Sequence, residues 1–231
     1  ETAPPTVPEP ENPPQEEPPP GAPWEDYRVG FAREVVVPDR WDRVTTAASL
    51  RDVLRSGGAA VIPEGLRLTG LALEVADGAA YRAEGRGATL VGTGTQPIVR
   101  FLGRGFGHNV LHEGRRTGST NEDGVKGETG CNFWIDKCAV TNVSDEHADF
   151  WGAGRKRGTW TRSAFVETGD REFGPLMGSS PDNNPGPVDQ WQTWYRSHFE
   201  TAGRQPRVAA PGAVAHLVNC VHPHWWSGMH M

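Results

Sequence analysis

The stretch PIVRFLGRGFGHNVLHEG (residues 97–114) holds two short β-type runs, PIVRFLG and HNVLHEG, punctuated by glycine and asparagine. The same grammar extends in both directions. Upstream stand AAVIP (59–63), LALEVA (71–76) and ATLVG (88–92). Downstream stand NFWIDKCAV (132–140), ADFWG (148–152), TWTRSAFVE (159–167), QTWYRSHF (192–199) and AHLVNC (215–220). β-Branched and aromatic residues bounded by Gly, Asn, Asp and Pro favour strands. Few of these runs are joined by two-residue hairpin turns, which argues against a meander. Recurrence describes them better: Val110 and Phe133 are 23 residues apart, as are Thr193 and His216. Such a period with irregular corners suits a parallel β-solenoid, whose coils bury their inward side chains on one another. An antiparallel sandwich with a similar number of strands is the competing architecture.

One segment carries a helical period. Thr46 is an N-cap candidate, AASLRDVLRS (47–56) places Leu50, Val53 and Leu54 on one stripe, and Gly57-Gly58 ends it. This short helix is expected to cap the open N-terminal end of the stack, where unpaired strand edges invite aggregation.

Composition divides the chain in two. Ten of its 20 prolines and five of its glutamates, but no Lys, Arg or His, fall within residues 1–23. Proline fixes φ and removes donors, so this tract is expected to be a disordered, extended linker. Residues 24–231 form the folded domain. Without the tract the net charge moves from -6 to -1. A nearly neutral body lacks the basic footprint that nucleic-acid binding needs. No apolar run is long enough to span a membrane. The chain starts at Glu1, which reads as a processed or trimmed start. Three cysteines are too few for a disulfide scaffold; Cys131 and Cys138, read as one extended strand, point to opposite faces and cannot pair. GRGFG (103–107) lacks the strand-then-helix context of a dinucleotide site, and His222, His224 and His230 lack partners at metal-ligand spacing.

Four stretches together resemble the secreted pectate lyases of parallel β-helix fold: AAYRAEGRGATLVGTG (79–94), CNFWIDKC (131–138), LMGSSPD (176–182) and RQPRV (204–208) followed by AHLVNC (215–220). The resemblance covers roughly residues 30–228 in order. It implies an all-β, right-handed parallel β-helix that acts as a secreted monomer on polygalacturonate. It also implies Asp123, Asp145 and Asp149 as ligands of Ca²⁺, with Asn121 where some relatives have a further Asp. Calcium is a hard cation that takes six to eight oxygens, so a partly filled carboxylate shell leaves room for substrate. A solvated acidic turn has the same composition without an ion, and His147 between the two aspartates reads as a partner-bonded imidazole, because calcium prefers oxygen.

The resemblance further implies Arg204 as the base that takes the C5 proton of a galacturonate unit, with β-elimination of the O4 leaving group. Arg207 is implied as the clamp on a substrate carboxylate, for which a planar fork donor suits. The chain departs from the pattern at Phe173, where a substrate-binding Lys is usual and Arg171 is the nearest cation, and at Ala209, where a further Arg is common. Two other readings stay open. One is a metal-free pectin lyase acting on methyl-esterified chains, which the nine tryptophans suit. The other is a non-catalytic β-solenoid that binds acidic glycans.

Overall fold

The computed structural model describes residues 29–166, 173–178, 188–200 and 206–222. The linker expected over residues 1–23 lies outside them. The described chain is mostly β and builds three sheets in which every pairing is parallel. The first sheet stacks Asp42–Arg43, Ala59–Ile62, Ala79–Ala83, Arg104–His108, Asn132–Asp136, Arg155–Thr161, Asp189–Tyr195 and Ala213–Val218. The second stacks Leu73–Val75, Val99–Phe101, Val125–Gly127, Ala148–Phe150, Leu176–Met177 and Arg207–Val208. The third stacks Arg67–Leu71, Ala88–Gly92, Val110–Glu113, Ala139–Thr141, Ala164–Val166 and His198–Glu200. From Arg67 onward the chain keeps returning to each sheet to add the next strand. The arrangement is consistent with a parallel β-helix and excludes the antiparallel sandwich.

Register measures the repeat. Tyr81 pairs with Gly107, Gly107 with Ile135, Ile135 with Trp160, Trp160 with Trp194 and Trp194 with Leu217. The steps are 26, 28, 25, 34 and 23 residues, so the expected period holds for the shortest coil and is lengthened by insertions in the others. Thr193 and His216 do pair. Val110 and Phe133 do not: they belong to the third and first sheets, and Phe133 pairs with Gly105 and Gly158.

One corner is built the same way in coil after coil. The residue after each of the last five first-sheet strands has left-handed backbone: Asn109, Lys137, Arg162, Arg196 and Asn219, with φ between 51 and 58°. Its N–H continues the ladder, as Lys137 to the Thr161 carbonyl at 3.0 Å and Arg196 to that of Val218 at 2.9 Å. Left-handed backbone costs a non-glycine residue about 1 kcal/mol, which the stacked hydrogen bonds offset. This corner also corrects the reading of the cysteines. The strand ends at Asp136, the chain turns at Lys137, and Cys131 and Cys138 both point into the core as free thiols.

Inside, aromatic rings stack from coil to coil: Phe101 on Phe133 at 4.7 Å, Phe133 on Phe150 at 5.6 Å and Phe165 on Phe199 at 4.9 Å between centroids. Gly107 is required here, since a Cβ would come within 2.6 Å of the Tyr81 ring. Tyr81 meets buried His112, whose Nδ1 faces the Ala139 carbonyl at 3.2 Å while Nε2 lies 2.9 Å from the Tyr81 hydroxyl. A carbonyl only accepts, so Nδ1 carries the proton and the tyrosine donates.

The helix Ala47–Arg55 forms as read, with Thr46 and Ser49 making a reciprocal capping box and Leu50 and Leu54 fully buried at the first coil. Nothing in the sequence foretold the segment before it. Residues 29–41 run across the outer face of the first sheet. Ala32 donates to Thr159 Oγ1 at 3.2 Å, Asn132 donates to Glu34 at 2.9 Å, and Trp41 lies edge-on to Phe106. No described helix is long and apolar enough to cross a membrane.

Candidate functional site

Parallel register on the second sheet lines up one outward-facing file of residues across the coils. Glu74 pairs with Arg100, Arg100 with Lys126, Lys126 with Asp149, Asp149 with Leu176 and Leu176 with Arg207. Their chain neighbours, among them Val125 and Phe150, point into the core. Adjacent strands are about 4.8 Å apart, so charges distant in sequence become neighbours.

Two turns add carboxylates beside this file. Asp123 precedes the strand Val125–Gly127, and Asp145 and Glu146 lie in the bend before Ala148–Phe150. Backbone bonds tie the turns together: Gly124 donates to the Glu146 carbonyl at 2.9 Å, and Asp145 to that of Glu122 at 3.3 Å. One oxygen each from Asp123, Asp145 and Glu146 lies within 4.8 Å of the other two. Opposed ligands of one calcium ion, each about 2.3–2.6 Å from it, are separated by that much. The trio is hard oxygen throughout and fits such an ion.

Lys126 stands between this trio and Asp149. Its Nζ donates to Asp149 Oδ2 and lies 3.4 Å from Asp123 Oδ2. The second Asp149 oxygen accepts the Trp151 N–H at 2.7 Å. Burial pushes the Asp123 carboxyl up to about 7; the Asp149 charge adds to this and Lys126 opposes it. Burial also draws the Lys126 ammonium down, but Asp149 and Asp123 more than offset it and hold its pKa above the ordinary lysine value.

A cleft of about 330 Å³ opens over these groups, bordered by Lys126, Asp145, Glu146, Asp149, Trp151 and Arg207. Trp151 is 42% exposed on its rim. Its backbone is held from beneath by two buried, inward-facing residues of the first sheet. Lys156 Nζ donates to the Trp151 carbonyl, and Gln190 Nε2 donates to that of Gly152 at 2.6 Å.

Of the residues expected from the sequence, Asp123, Asp145, Asp149 and Arg207 thus gather on one face. Asp149 is engaged by Lys126 and stands outside the convergent trio. Arg204 and Arg171 lie outside the described residues. His147 is buried, with Nδ1 at 2.9 Å from the Phe173 carbonyl and Nε2 at 3.2 Å from that of Val166, so it has backbone partners. Phe173 bridges Glu146 through backbone. Ala209 borders the cleft, which is therefore uncharged where a further arginine was expected.

Sequence reading missed Lys126 and Glu146. Glu146 adjoins Asp145 and was legible as a donor. Lys126 was legible only through register, because what makes it part of the site is Asp149 on the next strand. No protein-family model, curated protein or solved structure matches the chain.

Proposed function

We propose that the chain is a right-handed parallel β-helix that binds an acidic polyuronate, with polygalacturonate as the leading candidate, and cleaves it by calcium-dependent β-elimination as a pectate lyase does. One observation carries this reading: Asp145 and Glu146, two members of a carboxylate trio suited to a hard cation, line a single cleft with Arg207, although some sixty residues of chain lie between Glu146 and Arg207. Asp123, Asp145 and Glu146 would hold the ion, which when bound supplies charge neutralisation to a substrate carboxylate.

The other roles belong to the chain. Arg207 offers a planar pair of donors to a second carboxylate. The exposed face of Trp151 offers apolar area to a sugar ring. Arg204, by its place in RQPRV, is the proposed base. It takes the C5 proton, the C4–C5 double bond forms, and the C4–O4 bond breaks with its electrons leaving on O4, which is then protonated from water.

The test is ultraviolet detection of unsaturated product from polygalacturonate and from methyl-esterified pectin, each with calcium or with chelator. Product from the unesterified polymer that vanishes on chelation is expected. Product surviving complete chelation overturns the calcium role. Product from esterified pectin alone indicates the metal-free lyase, and folded protein that binds polymer but yields no product indicates a glycan-binding module.

A further inference from the structure

Resting on that reading, we infer that Lys126 is a resident cation that determines the site's cation stoichiometry, restricting the cleft to one divalent ion. Three carboxylates, Asp145, Glu146 and Asp149, line this part of the cleft and buried Asp123 lies behind them, a number that could serve two ions. The file geometry sets Lys126 beside Asp149 on the adjacent strand, with its ammonium bonded to Asp149 Oδ2 and 3.4 Å from Asp123 Oδ2. Both Asp149 oxygens are therefore engaged, one by Lys126 and the other by the Trp151 N–H. Among the described residues, the three carboxylates that converge closely enough for an ion are those of Asp123, Asp145 and Glu146, and Asp149 is not one of them.

Position rather than charge count makes Lys126 decisive. It is tethered in the sheet by its own strand and 23% exposed, so it cannot leave as a free ion does. Any ion between Asp123 and Asp149 would have to displace it, and an ion on the trio feels its repulsion. A lysine ammonium is a compact charge with three donors, which suits bridging two carboxylates while a third donor meets a substrate carboxylate. Lys126 thus acts as a specificity-determining residue, trading cation affinity for a permanent positive charge facing the polymer.

The experiment measures cation binding apart from activity, by calorimetric titration with calcium and by terbium luminescence sensitised through nearby Trp151. Wild type is expected to take one ion per chain. Lys126→Gln, which keeps donors for Asp149 but no charge, is expected to bind calcium at least about ten-fold more tightly or to take a second ion. Lys126→Arg is expected to stay close to wild type. The double variant Lys126→Met with Asp149→Leu removes the buried pair together, which protects folding, and is expected to bind one ion more tightly but never two. Wild-type affinity and stoichiometry in both Lys126→Gln and the double variant overturn the inference while leaving the lyase reading intact. A wild type that binds no ion while Lys126→Gln does supports the role of Lys126 and overturns calcium dependence. No binding by any variant overturns both.

Discussion

Arg207 stands in one outward-facing file with Asp149, separated from it on the second sheet only by Leu176. Parallel stacking, not sequence proximity, sets this alignment. It places a fork donor and the acidic trio along the line an extended polyanion would follow. Arg207→Ala is expected to raise KM for polygalacturonate by about ten- to a hundred-fold with a smaller change in kcat, as loss of a charge-assisted pair does. Arg207→Lys should recover only part of the loss, because the planar fork is gone. Unchanged KM in Arg207→Ala would remove this residue from the site.

Trp151 is fixed through its own backbone by Asp149 and Lys156, while its ring remains on the rim. Trp151→Ala is expected to weaken polymer binding by about five-fold, in line with one aromatic contact of roughly 1 kcal/mol, and Trp151→Phe to retain most of it. Quenching of tryptophan fluorescence by oligogalacturonate in wild type, and its reduction in Trp151→Phe, provides the measurement.

Buried His112 gives the fold a pH dependence of definite sign. Burial lowers its pKa to about 4, against an ordinary 6.5, so the folded chain binds fewer protons than the unfolded chain between these values. Its contribution is fully present above pH 6.5 and is lost as pH falls toward 4, to a total of about 3 kcal/mol. Denaturant midpoints measured from pH 7 to pH 4 should fall less steeply in His112→Gln than in wild type. Parallel curves would contradict the assignment.

A methyl group at Gly107 has no room beside Tyr81. Gly107→Ala is expected to cost about 1–3 kcal/mol by overpacking. Tyr81→Leu in the same chain should recover part of it, and a double-mutant cycle by chemical denaturation reads the coupling. Additive effects would show that ring and glycine do not meet.

A few polar atoms lie within the apolar interior near the last coils. Both amide atoms of Gln192 and the indole N–H groups of Trp160 and Trp194 are buried without a hydrogen-bond partner. Buried polar atoms in folded proteins are satisfied, commonly by internal water. A crystal structure at high resolution is expected to show ordered water bridging these groups, and a dry lumen there would refute this.

The strands were legible because β-type runs and their breakers are local signals, and Thr193 and His216 even gave a correct pairing. The match of Val110 with Phe133 failed because equal spacing cannot tell one sheet from another within a coil. The corner at Lys137 was invisible because lysine carries no preference for left-handed backbone; the neighbouring coils impose it. The same distinction holds at the site. Asp123 and Asp145 were readable as acidic groups in turns, whereas the part played by Lys126 exists only once the next strand lies beside it.

The repeated bend at Asn109, Lys137, Arg162 and Arg196 leaves only one or two residues between first-sheet and third-sheet strands. Length variation falls instead on the other two margins: in the second-to-first segment 178–188, and in the segments that lead from the third sheet to the second, such as 114–124 and 142–147. Those segments supply the acidic trio. The molecule thus keeps its scaffold and its chemistry on separate margins of the coil, so lengthening or rewriting a recognition loop need not disturb how the turns sit on one another.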